Sequence, residues 1–194
     1  MRIFYDTEFL EDGKTIELIS IGLIREDGKE LYLINKEMEI DRIFRDDWVR
    51  ENVLHDIFHD MLIGYTEAGG DITNFYFRKL DFWYLLQEYG NTKNEICEEI
   101  LKFVGKNPIF YADTCAYDHV VLCQLFGKMI DIPKGWRYYT RDIRQTIDEL
   151  KFDTSKVHNL NEHNALSDAK NCFEIWKELE KIKNIKIWQT KIGN

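Results

Sequence analysis

Only two prolines and four cysteines occur among the 194 residues, and nowhere do they hold the run of about 18 apolar side chains that a membrane-spanning helix requires. Nor does a charged segment followed by an apolar one open the chain, so neither insertion nor secretion is expected, and a soluble cytoplasmic protein is. Cys97, Cys115, Cys123 and Cys172 make no C-x-x-C pair and no zinc-like spacing, which sets a zinc site aside and predicts reduced, mostly buried thiols. Positive charge is scarce as well. A net charge of −9 argues against a wholly basic nucleic-acid-binding surface. No internal repeat or low-complexity tract is present.

What the chain does have is enough apolar material for one α/β core, with 44% hydrophobic residues, and too little length for two. Its acidity is uneven: residues 1–60 carry sixteen Asp and Glu against eight Lys and Arg, and the remainder is close to neutral. Residues 1–35 read as three strands, with Asp27-Gly28 as the turn of a hairpin. Residues 37–60 show helical spacing of apolar side chains and predict one or two short helices. Glycine-punctuated and aromatic-rich, residues 62–90 read as an insertion, either a hairpin or a loop and helix. Thr92 and Glu95 form a capping-box pattern before a helix with Ile96, Ile100, Leu101 and Val104 on its apolar face. Beyond it the pattern predicts a buried strand at 109–112, a helix over 116–126 closed by Gly127, a strand at 136–139, a helix over 141–150 and a last long helix over about 164–181. This order predicts a single domain, 1–194, built on a mixed sheet flanked by helices.

Three short motifs carry chemistry. Asp6 and Glu8 end an apolar strand and, being two apart, share a face; like charges so placed are usually held by a hard divalent cation. Alone the triplet is a weak signal. Asp118 lies near the start of a largely apolar helix, where an acid also serves the helix dipole. Asp113 competes with it, but Val121, Leu122 and Leu125 place Asp118 on or beside the core-facing side. His163 and Asp168 precede and enter the last helix, a pattern that an ordinary N-terminal cap region also produces.

Taken in order, D-x-E, then Y-D on a helix, then H-x-x-x-x-D resembles the three motifs of the DEDDh 3′-to-5′ exonucleases, which have a ribonuclease H-like fold. The resemblance spans most of the chain except 62–90. Phe4–Gly13, continuing through Thr15–Gly22, and Tyr117–Gly127 look most like the bacterial polyadenylate-specific 3′-to-5′ exoribonucleases and related phage exonucleases. It implies that Asp6, Glu8, Asp118 and Asp168 hold two divalent cations, Mg²⁺ or Mn²⁺, about 3.5–4 Å apart across the scissile phosphate. His163 is then the general base, a role that suits an imidazole near neutral pH. The implied substrate is the 3′ end of single-stranded RNA, with DNA as the alternative and nucleoside 5′-monophosphates as products. A non-catalytic nucleic-acid-binding module on the same fold is the rival reading, weakened by the presence of all five positions. One departure stands out: many relatives follow D-x-E with Thr-Thr-Gly, whereas Phe9 and Leu10 occupy those places here. Base contact and core packing are equally open for this pair.

Other features are weighed more lightly. His55 and His59 have the i, i+4 spacing of a helical metal pair without a glutamate or further ligands, and read as a solvated face. His119 and His158 carry no signal of their own. Arg137, Arg141, Arg144, Lys151 and Lys156, with Tyr138 and Tyr139, make a basic and aromatic stretch that suits a phosphate backbone, although interspersed acids suit a solvated helix as well. The aromatics at 75–84 read as core or as a subunit contact, which makes a homodimer one expectation.

Overall fold

Alternation along the first apolar run gives strand β1, Arg2–Glu11, and the Asp27-Gly28 turn gives the hairpin of β2, Ile16–Arg25, and β3, Glu30–Ile34. In the computed structural model, residues 1–157 and 162–192 are described, with side chains up to residue 185. His158 lies outside the described residues. Helices α1 (Ile40–Ile43) and α2 (Asp47–Val49) follow, and a π-helical turn, Arg50–Leu54, leads directly into α3, His55–Glu67. The segment at 62–90 takes the loop-and-helix form: α3 runs into it and α4, Lys79–Tyr89, closes it. It is part of the core, since Phe82, Leu85 and Leu86 pack with Leu10, Ile19 and Ile34 of the sheet. The aromatic and aliphatic side chains of Tyr76, Leu80, Trp83 and Tyr84 remain exposed.

Helix α5, Lys93–Val104, starts from the expected capping box: Glu95 N–H donates to Thr92 Oγ1 (3.2 Å) and Thr92 N–H donates to Glu95 Oε2 (2.7 Å). Strand β4, Ile109–Ala112, and α6, Ala116–Phe126, are formed where the pattern places them. The strand predicted at 136–139 is not formed. Gly135 turns the chain at φ 98, and Trp136 is drawn into the core edge-on to Phe110 (4.9 Å) and Phe126 (5.1 Å), so the backbone joins the sheet only at β5, Arg141–Asp142. Asp142 then caps α7, Ile143–Leu150, and α8 spans Ala165–Ile192.

The sheet order is β3-β2-β1-β4-β5, with β1 antiparallel to β2 and parallel to β4. A mixed five-stranded sheet flanked by helices is the architecture of a ribonuclease H-like fold. One face packs on α5 and α6 through Ile3, Tyr5, Leu23 and Phe110. The other carries two apolar clusters, Phe4 and Tyr111 with α7 and α8, and Leu10 with α1 to α4. Cys123 and Cys172 are buried, Cys97 and Cys115 half-buried, and all four are free thiols. Among the described residues no helix is long and apolar enough to cross a membrane.

Candidate active site

Even-numbered residues of β1 face α8 and its neighbours, so Asp6 and Glu8 lie between Phe4 of one apolar cluster and Leu10 of the next. The start of α8 descends onto this seam. It can do so because Gly22, the partner of Asp6 across the β1–β2 ladder, has no side chain: a Cβ there would lie 2.3 Å from the carbonyl carbon of Ala165 and the nitrogen of Leu166. Further bonds fix the helix end. Asn164 accepts the Ser167 N–H at its Oδ1 (3.2 Å), the bond of an N-cap, and donates from Nδ2 to Asp60 Oδ2 on α3 (3.0 Å). His163 adopts the left-handed region at φ 65 and donates its backbone N–H to Asp168 Oδ2 (3.0 Å).

These constraints bring together three of the sequence-predicted acids. Carboxylate oxygens of Asp6, Glu8 and Asp168 lie within 4.8 Å of one another. Neither Asp6 nor Glu8 has a Lys or Arg ion pair among the described residues. Burial, followed by the charges of Asp118, Glu8 and Asp168, pushes the Asp6 carboxyl well above the ordinary carboxylate range. Burial and then Asp168, Asp118 and Asp56 push Glu8 up to about 8.

Asp118 is adjacent but outside the trio. Its Oδ1 accepts the Thr7 N–H (2.9 Å) and the Thr7 hydroxyl (2.6 Å). The cause is topological: β4 pairs with β1 only as far as Phe4, so the Thr7 N–H beyond that point needs another acceptor. Burial raises the Asp118 carboxyl, and the two Thr7 bonds oppose that rise. Asp113, the competing acid, is held in a two-bond ion pair by Arg144, Nε to Oδ1 at 2.9 Å and Nη2 to Oδ2 at 2.6 Å.

His163 is half-buried, its ring edge-on to Trp48 at 4.8 Å and 77°. Trp48 is 54% exposed beside the acids, yet in sequence it shows only as one apolar residue of a helical pattern. Phe9 packs beside the α5 and α6 cluster, on the other face of the sheet, with its ring edge-on to the exposed ring of Tyr117 (5.7 Å). Leu10, 4% exposed and packed among Ile19, Ile34 and the helices above them, is a core side chain, one of the two readings the sequence leaves open for it. His55 and His59 point to solvent from α3. Gly22 and Asn164 were missed as site-building residues, although a glycine inside an apolar strand signals close backbone approach and Asn followed by Ser three residues later suits a helix cap.

With this geometry in place, comparison with known proteins adds a second line. Residues 82–180 match the family model described as the 3′-5′ exoribonuclease Rv2179c-like domain. The chain is 35% identical over 171 residues to 3′-5′ exoribonuclease Rv2179c of Mycobacterium tuberculosis (strain ATCC 25618 / H37Rv), covering 88% of each protein. The same identity and coverage relate it to 3′-5′ exoribonuclease MT2234.1 of Mycobacterium tuberculosis (strain CDC 1551 / Oshkosh).

Proposed function

The chain belongs to the Rv2179c-like 3′-5′ exoribonuclease family, and from that premise we propose that it shortens single-stranded RNA from the 3′ end, releasing nucleoside 5′-monophosphates in a divalent-metal-dependent hydrolysis of the DEDDh type. The observation that carries this reading is the meeting of Asp6, Glu8 and Asp168 from opposite ends of the chain, in a half-buried place where burial and their mutual charges raise the Asp6 and Glu8 carboxyls.

The donor set fits the proposed cations. Carboxylate oxygens without sulfur or imidazole among them suit Mg²⁺ or Mn²⁺, and the raised Asp6 and Glu8 carboxyls would return to the ionised form with a cation beside them. Asp6, Glu8 and Asp168 would hold the ions, with Asp118 as the fourth acid. When bound, the ions supply Lewis-acid activation of water and charge stabilisation at the departing 3′ oxygen. The chain's own part is placement. His163 accepts the proton of the attacking water at its imidazole while its backbone N–H holds Asp168. Trp48 shields one edge of that ring and restricts its rotation. Water oxygen joins phosphorus as the bond from phosphorus to the 3′ oxygen breaks, leaving a 3′-hydroxyl on the shortened strand. Phe9 and Tyr117, paired edge-on and next in sequence to Glu8 and Asp118, would offer rings to the terminal base.

Asp6→Asn should abolish release of mononucleotides from a 5′-labelled RNA oligomer in Mg²⁺ or Mn²⁺ while the unfolding midpoint does not fall. Full activity in EDTA would falsify the metal reading, and a DNA oligomer of the same sequence run in parallel reports the preference for RNA.

A further inference from the structure

The two-residue length of β5 leaves a gap at the edge of the sheet. Its pairs with β4 are Tyr111 with Arg141 and Ala112 with Asp142, so the edge of β4 before Tyr111 has no strand beside it. A cavity of about 620 Å³ occupies this place, within the range of roughly 300–1,000 Å³ typical of small-molecule sites. Arg2, Tyr111, Tyr139, Arg141, Trp176 and Lys183 line it, and none of the five proposed active-site residues does.

Its charge is distinctive in so acidic a chain. Arg2 is paired with Glu26 and lies over the Trp176 ring (5.1 Å), and Lys183 is paired with Glu180 (3.4 Å). Asp142 has its Oδ1 engaged by the N–H groups of Thr114 and Arg144. Arg141 donates to the Tyr111 hydroxyl (2.9 Å), lies over the same ring (5.5 Å) and has no carboxylate partner among the described residues. Tyr111 is itself buried, and Tyr139 is half-exposed with Arg137 over its ring (5.6 Å); a guanidinium with donors to spare beside an accessible aromatic ring is the chemistry that takes a phosphate and a base together. The wall is fixed in advance: between Tyr139 and Arg141, Thr140 is tied through Oγ1 to the buried Tyr5 hydroxyl (2.7 Å) and to His119 Nδ1 (3.2 Å).

We propose that this cavity is a second nucleotide site, with the phosphate on Arg141 and the base on Tyr139. Two sources share that chemistry: an internal nucleotide of the strand whose 3′ end lies at the acids, or a free 5′-mononucleotide. Two strand spacings, roughly 10 Å, separate β1 from β5, so one RNA strand can reach both places. The first source rests on the exoribonuclease reading; nucleotide binding itself does not.

The test uses the full chain in EDTA, where no cation draws phosphate to the acids, and measures calorimetric binding of adenosine 5′-monophosphate, inorganic phosphate and a short RNA oligomer. Wild type should bind the mononucleotide more tightly than inorganic phosphate. Arg141→Gln and Tyr139→Ala should each weaken it about tenfold, the scale of one charge-assisted bond, with Arg141→Lys retaining part of the affinity and unfolding midpoints unchanged. Tyr139 is 49% exposed, so its variant keeps the test open should Arg141→Gln fold poorly. Parallel weakening for the oligomer assigns the site to the strand, and weakening confined to the mononucleotide assigns it to the free nucleotide. Absence of mononucleotide binding by wild type, equal binding of inorganic phosphate, or unchanged affinity in both variants overturns the proposal. Loss of hydrolysis in Asp6→Asn bears on the acids alone, so the two readings fail separately.

Discussion

His163 serves the site with two different groups. Its backbone N–H holds Asp168, and its imidazole lies against Trp48 with the left-handed backbone at φ 65 aiming the side chain. Alanine keeps the first and deletes the second, and the cost of the left-handed backbone, on the order of 1 kcal/mol for any residue with a Cβ, is already borne by histidine. His163→Ala should therefore slow 3′-end hydrolysis by about 10²–10⁴-fold while Mn²⁺ affinity, read by calorimetry, stays near wild type. An unchanged turnover number would remove the imidazole from the mechanism. At this scale the meeting of Asp6, Glu8 and Asp168 was legible because the spacing within each motif is local: two apart on a strand, or five after a histidine across a helix start. Trp48 was not, since its closeness to His163 is a product of α2 packing at the seam and leaves no mark in the residues around it. The distant partners of the two competing acids, Arg144 for Asp113 and Thr7 for Asp118, likewise leave no mark in their sequence surroundings.

Among the elements, α8 decides whether the acids meet, and Gly22 decides how near α8 comes. A methyl group at residue 22 cannot share space with the Ala165 and Leu166 backbone, so Gly22→Ala must lift the helix start from β2. We expect a loss of about 1–3 kcal/mol in urea unfolding, the usual cost of overpacking, together with a higher Mn²⁺ concentration for half-maximal activity. Wild-type values for both would mean that the helix end is free to shift without consequence. Most elements could be read from pattern alone: the β2–β3 hairpin from its turn, α5 from its capping box, β4 from a short apolar run. The misplaced strand at 136–139 shows where pattern fails. Trp136 to Tyr139 has strand-like composition, but a buried indole held by Phe110 and Phe126 bends the chain away, and tertiary packing outweighs a local preference worth at most about 1 kcal/mol.

For the molecule as a whole, the acidic cluster couples folding to pH and, on the proposed reading, to cations. Glu8 has its carboxyl raised from 4.5 to about 8. A raised folded value means that its contribution to stability is complete below the unfolded value and is lost as pH rises through the folded one. In EDTA the unfolding midpoint should thus fall between about pH 5 and pH 9, and Glu8→Gln should flatten that fall. Saturating Mg²⁺ or Mn²⁺ should raise the midpoint, by more at pH 8 than at pH 5.5, because only the native arrangement of Asp6, Glu8 and Asp168 offers the ion a common place. A midpoint indifferent to both variables would show that the three acids do not act as a unit.

The same union of chain ends has a consequence for synthesis. Domains emerge from the ribosome N-terminal end first, and Asp6 and Glu8 are made long before Asp168. On the proposed reading a nascent chain carries Asp6, Glu8 and Asp118 but lacks His163 and Asp168 until α8 is out and docked on Gly22. The enzyme then cannot attack RNA near the ribosome that is making it, and docking of α8 is itself the first activation step.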